Sequence, residues 1–261
     1  MQPAIPSDLR DLLEFLADRY NRPEFIETDP VSIPHLFKRK EDIEIAAFLT
    51  AILSWGNRKS IIITARRLMQ LMDDVPFEWI MNHSEMETKR FRGFYYRTFN
   101  DSDCLFFLDA LRYLYREQGG LEGAFGSIPE KGIREGILDF RRIFLSRSHL
   151  KRTEKHLSDP AQGSSSKRFH LFLRWMVRKD DRGVDFGLWR QISPSVLLCP
   201  LDVHAGKAAR MLGLLQRKNN DWKAAEELTA SLRMFDPIDP VKYDFALFGL
   251  GAMGDPTDRN E

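Results

Sequence analysis

Cysteine is scarce in this 261-residue chain, with only Cys104 and Cys199. Two thiols make neither a disulfide framework nor a four-thiolate metal centre. A surplus of either charge is missing too, since 39 basic side chains stand against 38 acidic ones for a net charge of +1. That balance speaks against a wholesale basic nucleic-acid binder. Long apolar runs are absent. The longest, Ile45 to Trp55, contains Thr50 and Ser54 and is too short to span a bilayer, so it reads as a buried helix. The first residues show no basic stretch leading into an apolar one, so no secretion signal is expected and the compartment reads as cytoplasmic. No fixed-period repeat appears. An aromatic content of 11% excludes a disordered tail protein.

What remains is helix after helix. Ser7 reads as the N-cap of a helix carrying Leu9, Leu12, Leu13 and Leu16. Residues 21–40 hold three prolines and read as an irregular connector. Helical patterns then cover 41–55, 60–72, 101–117, 132–146, 164–179, 203–212, 222–234 and 241–248. Period-2 alternation is nearly absent, so the fold is expected to be all-α.

Gly249-Leu250-Gly251-Ala252-Met253-Gly254 fits a dinucleotide-binding glycine pattern. That motif needs a strand before it, a helix after it and an acidic residue about 20 positions on. Helical sequence precedes it here, so a glycine-terminated helix running into a loose tail is expected. The six histidines (35, 83, 149, 156, 170, 204) show no ligand pairing four residues apart, and neither a metal nor a cofactor is expected.

Two segments carry candidate chemistry. In the first, a short helix over 149–157 precedes Gly163-Ser164-Ser165-Ser166, and Lys167 then opens another helix. A tight turn at a helix start presents backbone N–H groups suited to a phosphate oxygen. Lys167, His170, Arg174 and Arg178 share one helical face, which as a plain basic stripe would be the solvated side. In the second segment, Asp202 stands where an N-cap would, followed by His204, Lys207 and Gly213. A carboxylate can cap a helix and also face a developing cation.

These residues carry a resemblance. Asp202-x-His204-x-x-Lys207-x-Ala209-x-x-Leu212-Gly213-Leu214 resembles the V-D-T-H-x-x-R-x-A-x-R-L-G-L segment of the helix-hairpin-helix DNA glycosylases, typified by endonuclease III. The helix from Ile45 ending in Leu53-Ser54-Trp55-Gly56-Asn57 is similar to that family's early L-L-S-x-Q helix, and the turn before Lys167 to its L-P-G-V-G-R-K-T-A hairpin. The matched pieces lie in family order, and the chain is identified as a divergent bacterial branch. The interval from Lys167 to Asp202 is 35 residues, longer than in endonuclease III, which makes the archaeal 8-oxoguanine glycosylases the nearer analogue. A further helical segment is expected within it, over 184–192. The second hairpin glycine is missing, Gly56 takes the place of a wedge amide with Asn57 beside it, and no cysteine follows Cys199 to build an iron–sulfur loop.

The resemblance implies a two-lobed fold with a cleft. A bundle over 41–195 would carry the hairpin at about 149–179, and 1–40 with 196–261 would form the second lobe. Lys167 would be the Schiff-base nucleophile, with Arg168 and His170 near enough to help lower its pKa. Asp202 would stabilise the oxocarbenium-like transition state. Gly163, Ser164, Ser165, Ser166, Arg168, Arg174, Asn57, His204 and Lys207 would contact DNA. A flipped damaged base, an oxidised purine by preference, would sit among aromatics. Trp55, Trp175 and Trp189 are the candidates carried forward from a set that includes Phe94, Tyr95 and Tyr96, although aromatics at helical spacing commonly fill cores. The partner would be double-stranded DNA, with no membrane, and the protein a monomer. Two other readings stay open: a nucleic-acid-binding protein that keeps the fold without catalysis, and an all-α interaction scaffold. The charge balance is also uneven, because residues 141–182 carry +8 and the remainder −7, a distribution suited to one basic face on DNA.

Overall fold

The computed structural model describes residues 7–254. It is all-α. Along the chain run α1 (Ser7–Tyr20), α2 (Pro23–Thr28), α3 (Lys40–Leu53), α4 (Arg58–Gln70) and α5 (Pro76–Asn82). Then come α6 (Asp101–Glu117), α7 (Gly120–Ala124), α8 (Ile128–Lys131) and α9 (Ile133–Phe144). The last are α10 (Lys167–Val177), α11 (Val203–Met211), α12 (Trp222–Arg233) and α13 (Asp244–Gly254). A small antiparallel hairpin, β1 (Tyr95–Tyr96) and β2 (Phe99–Asn100), pairs Tyr95 with Asn100 and Tyr96 with Phe99. Among the described residues no helix is long and apolar enough to cross a membrane.

The connector expected over 21–40 contains α2 and two short 3-10 turns, because its prolines stand at the first positions of those turns, where a missing N–H costs nothing. The segment before the hairpin is likewise 3-10 (Lys151–His156, then Pro160–Gln162) and not a regular helix. No helix forms over 184–192. Instead Phe186 and Trp189 donate their backbone N–H groups to the Trp175 and Met176 carbonyls, at 2.8 and 2.9 Å. The strip thereby satisfies carbonyls that the end of α10 leaves open. The glycine-rich pattern at 249–254 lies inside α13, and the tail expected after it falls outside the described residues.

The chain divides into two compact units: Met1–Phe25 with Pro160–Glu261, and Ile26–Asp159. The division falls elsewhere than at the sequence-based boundaries. Residues 160–195, including α10, belong with both termini, because α10 packs on terminal elements: His170 lies against Trp222, and Arg174 pairs with Asp244.

In the 26–159 unit α3 is buried along most of its length. Phe48 stacks on Phe107 with ring centroids 6.1 Å apart and meets Phe140 and Phe144 edge-on or tilted, while Phe125 stacks on Phe140 at 4.0 Å. The start of α6 is closed by a capping box, in which the Asn100 side chain accepts from the Asp103 N–H at 3.1 Å and Asp103 accepts from the Asn100 N–H at 3.0 Å. Asp103, fully buried, also accepts from Arg152, Thr153 and His156. These donors outweigh burial and hold its carboxyl below the usual range. In the other unit α13 packs on α1 and α11, and Phe169, Phe172, Trp175, Trp189, Leu228 and Phe245 are buried.

Candidate functional site

The site is built in the unit formed by both termini. Its turn begins at Gly163, whose φ of +81° is a left-handed conformation that glycine adopts without strain. The Gly163 N–H donates to the Pro160 carbonyl at 3.0 Å, and its own carbonyl accepts from the Trp222 N–H at 2.9 Å, which ties the turn to the start of α12. The Ser165 hydroxyl donates to the Leu201 carbonyl at 3.2 Å, one residue before Asp202. Ser166 is left-handed too (φ +51°) and buried, and the Ser164 hydroxyl accepts its N–H at 3.2 Å. A hydroxyl thus covers an N–H in a turn that lacks the second glycine.

Lys167 is the first residue of α10, and Asp202 is the N-cap of α11. Lys167 Nζ lies 3.6 Å from Asp202 Oδ2, with side chains 28% and 41% exposed. Asp202 Oδ1 accepts the Ala205 N–H at 2.9 Å. One carboxylate therefore caps the helix with one oxygen and faces the lysine with the other. Asn220 donates to the Asp202 carbonyl at 2.8 Å and accepts from Arg210 at 2.6 Å. Gly206 makes this possible, because a Cβ there would fall 2.6 Å from Asn220 Oδ1.

Beneath the pair lies a buried ionic cluster. Arg174, 3% exposed, reaches Asp185 at 3.2 Å and pairs with Asp244. Arg178 reaches Asp180, Asp185 and Asp239 at 2.7, 3.1 and 2.8 Å. Both guanidiniums lie over the Phe245 ring, at 4.4 and 5.6 Å. Burial pushes the Asp244 carboxyl up to about 6 against the pull of Arg174, and the Asp202 charge adds to the rise while Lys167 opposes it. Asp244 is the group that motif reading missed. A signal for it exists, because it is the lone charge entering the otherwise apolar stretch Phe245–Leu250.

Several expected contacts are corrected. The stripe of Lys167, His170, Arg174 and Arg178 is not a solvated face, because only Lys167 retains appreciable exposure. Arg174 is locked in the ionic cluster and withdrawn from a surface phosphate. His170 is fully buried against Trp222, with neither ring nitrogen hydrogen-bonded among the described residues. Burial pushes it down to about 3, so it is neutral and supplies no cation beside Lys167. Trp175 and Trp189 are core side chains with no exposed surface, Trp189 set edge-on to Phe172 at 5.3 Å, and neither lines a base pocket.

The remaining candidates divide by unit. Gly163, Ser164, Ser165, Ser166 and a half-buried Arg168 lie with Lys167, and His204 and Lys207 are exposed on α11. Trp55 and Asn57 belong to the 26–159 unit. There Asn57 caps α4, its side chain accepting the Ser60 N–H at 3.0 Å. The Trp55 ring carries the Arg97 guanidinium at 4.5 Å, and the Trp55 carbonyl accepts the Tyr96 hydroxyl at 2.9 Å. Phe94 is buried and Tyr95 is exposed.

An all-α chain with a half-exposed lysine–aspartate pair set between a serine-rich turn and a helix N-cap is the class of protein defined so far. The chain belongs to the protein family described as "Protein of unknown function (DUF2400)", which matches residues 29–253 and so includes Lys167, Asp202 and Asp244. No curated protein and no solved structure matches it.

Proposed function

We propose that the protein is a DNA base-excision glycosylase with AP-lyase chemistry, acting on a flipped damaged base, with an oxidised purine as the favoured substrate. The observation that carries this reading is the Lys167–Asp202 pair, 3.6 Å apart although 35 residues separate the two in sequence. An ammonium is no nucleophile, so a base must take its proton, and Asp202 Oδ2 stands within one short movement of doing so. The Lys167 amine then attacks C1′ of the nucleotide. The C1′–N bond breaks, its electron pair leaves with the base, the base takes the proton that Asp202 had received, and the restored Asp202 carboxylate offsets positive charge on the sugar. Opening of the sugar gives the Schiff base, from which loss of a C2′ proton cleaves the strand. The exposed His204 and Lys207 on α11 are the groups offered to the phosphates. No cofactor is required by this chemistry.

Borohydride trapping on a panel of damaged and abasic duplexes tests the reading. A covalent protein–DNA adduct is expected, lost in Lys167→Ala and strongly slowed in Asp202→Asn. Salt-dependent DNA binding without adduct or cleavage would show a binding module instead. Neither binding nor adduct would refute both DNA readings, as expected of an interaction scaffold.

A further inference from the structure

We propose that Asn220 is a positioning residue for Asp202, fixing where its carboxylate meets Lys167, a role that rests on the glycosylase reading above and deepens it. Lys167 and Asp202 stand at the starts of two different helices, so the gap between them depends on contacts outside either helix. A misplacement of about 1 Å in such a pair can cost about 10²-fold in rate. Three consecutive residues, Asn220, Asp221 and Trp222, reach both sides of that gap. Trp222 donates its N–H to the Gly163 carbonyl at 2.9 Å, and Asp221 forms an antiparallel bridge with Ser164, in the turn before Lys167. Asn220 donates its side-chain N–H to the Asp202 carbonyl at 2.8 Å. One short strap thus holds both the turn that delivers the lysine and the residue that delivers the carboxylate.

The Gly206 and Ala205 N–H groups also reach Asp202, its carbonyl and its Oδ1 respectively, each at 2.9 Å. Both belong to α11 and move with it, whereas Asn220 lies outside that helix and can hold its start in place. The Asn220 amide has one orientation. Arg210, a donor only, faces its Oδ1 at 2.6 Å, and the Asp202 carbonyl, an acceptor only, faces its Nδ2. Arg210 also donates to the Arg217 carbonyl at 2.7 Å, and Arg217 grips the Asp221 carboxylate at 3.2 and 2.7 Å. Asp221 in turn caps α12, accepting the Ala224 N–H at 2.8 Å. The strap is therefore tied to α11 at one end and to α12 at the other. Glycine at 206 leaves the room it needs, because a Cβ there would fall 2.6 Å from Asn220 Oδ1 and 2.9 Å from its Nδ2.

With Asp202 held at its carbonyl and at Oδ1, Oδ2 is the oxygen left to face Lys167, at 3.6 Å. Asn220 makes no bond in the reaction and acts only through Asp202. Loss of its N–H frees the start of α11 to shift, which lengthens the path of the proton from Lys167 to Asp202. Asn220→Asp isolates that bond. The new carboxylate still accepts from Arg210, now as an ion pair, but sets an oxygen against the Asp202 carbonyl where a donor stood. Asn220→Ala removes both bonds.

Single-turnover borohydride trapping of the full chain on a preformed abasic duplex tests the role, beside duplex affinity by fluorescence anisotropy. Asn220→Asp and Asn220→Ala are made in the wild type and again in Asp202→Asn. In the wild-type background both are expected to slow trapping by about tenfold or more and to leave duplex affinity within about twofold. In the Asp202→Asn background neither is expected to slow trapping by more than about twofold, because the carboxylate being positioned is gone. Should Asn220→Ala fail to fold, Asn220→Asp, which keeps the Arg210 link, carries the same comparison. Trapping by Asn220→Asp at the wild-type rate overturns the proposal. Equal slowing in the two backgrounds overturns it as well, since the effect would then bypass Asp202. A loss of affinity as large as the loss of rate also overturns it, because Asn220 would then only hold the site together. A wild type that forms no adduct, or an adduct that survives Lys167→Ala, refutes the glycosylase reading and the role with it.

Discussion

Asp202 carries two duties that substitution can separate. Asparagine caps a helix as well as aspartate does, whereas alanine costs about 1 kcal/mol of stability. Asp202→Asn is therefore expected to melt with the wild type yet slow Schiff-base trapping by about 10²-fold, and Asp202→Ala to show both defects. Thermal melts run beside the trapping assay check this. His170 gives a different test. Its folded-state pKa is pushed from 6.5 to about 3, so below pH 6.5 the unfolded chain takes up a proton that the folded chain refuses. Stability is whole above that pH and falls as the pH drops toward 3, by about 2 kcal/mol between pH 6.5 and pH 5. Urea melts of His170→Leu against wild type across that range are expected to show the variant with a flatter profile.

At the scale of elements, α10 is held by charge as much as by packing. Asp185 has no exposed side-chain surface and serves both Arg174 and Arg178. Removing one partner of a buried ion pair strands the other, so Asp185→Ala is expected to cost about 3–5 kcal/mol in denaturant melts. The amphipathic spacing of α10 was legible in its sequence, but the burial of its basic side was not. Arginines at 174 and 178 on a helix face resemble a solvated stripe until Asp185, Asp239 and Asp244 are brought against them. Short-range signals elsewhere read well, because they are satisfied locally. The stretches expected to be helical at 101–117, 203–212 and 222–234 form α6, α11 and α12 at or within a residue of those bounds, each started by an Asn or Asp cap. The expectation over 184–192 failed, because the strip's hydrogen bonds go to α10 and not to itself.

At the scale of the molecule, the +8 charge of residues 141–182 does not make a bare basic face. Arg141 meets Asp159, Arg142 meets Asp139, Arg147 meets Asp109, Arg152 meets Asp103 and Arg182 meets Asp18, besides the buried pairs of Arg174 and Arg178. Carboxylates near and far in sequence thus pair with most of the segment's arginines, so fewer cations than the +8 suggests stand ready to release counterions from DNA. A shallow salt dependence of duplex affinity is expected. Lys207→Ala should reduce its logarithmic slope by about 0.9 if that side chain meets one phosphate. Fluorescence anisotropy across a salt series measures it.

By itself the sequence determined what neighbouring residues decide: the all-α class, most helix bounds, the cap at Asp202 and the tight turn before Lys167. These depend on propensity, capping and spacing within a few residues. Only the tertiary structure decided which charges are buried, where the two units divide, and that Lys167, Asp202 and Asp244 share one neighbourhood. Those outcomes depend on contacts between residues tens of positions apart. Whether a charged side chain meets water or a distant partner is a competition between solvation and pairing, settled only once the chain has folded.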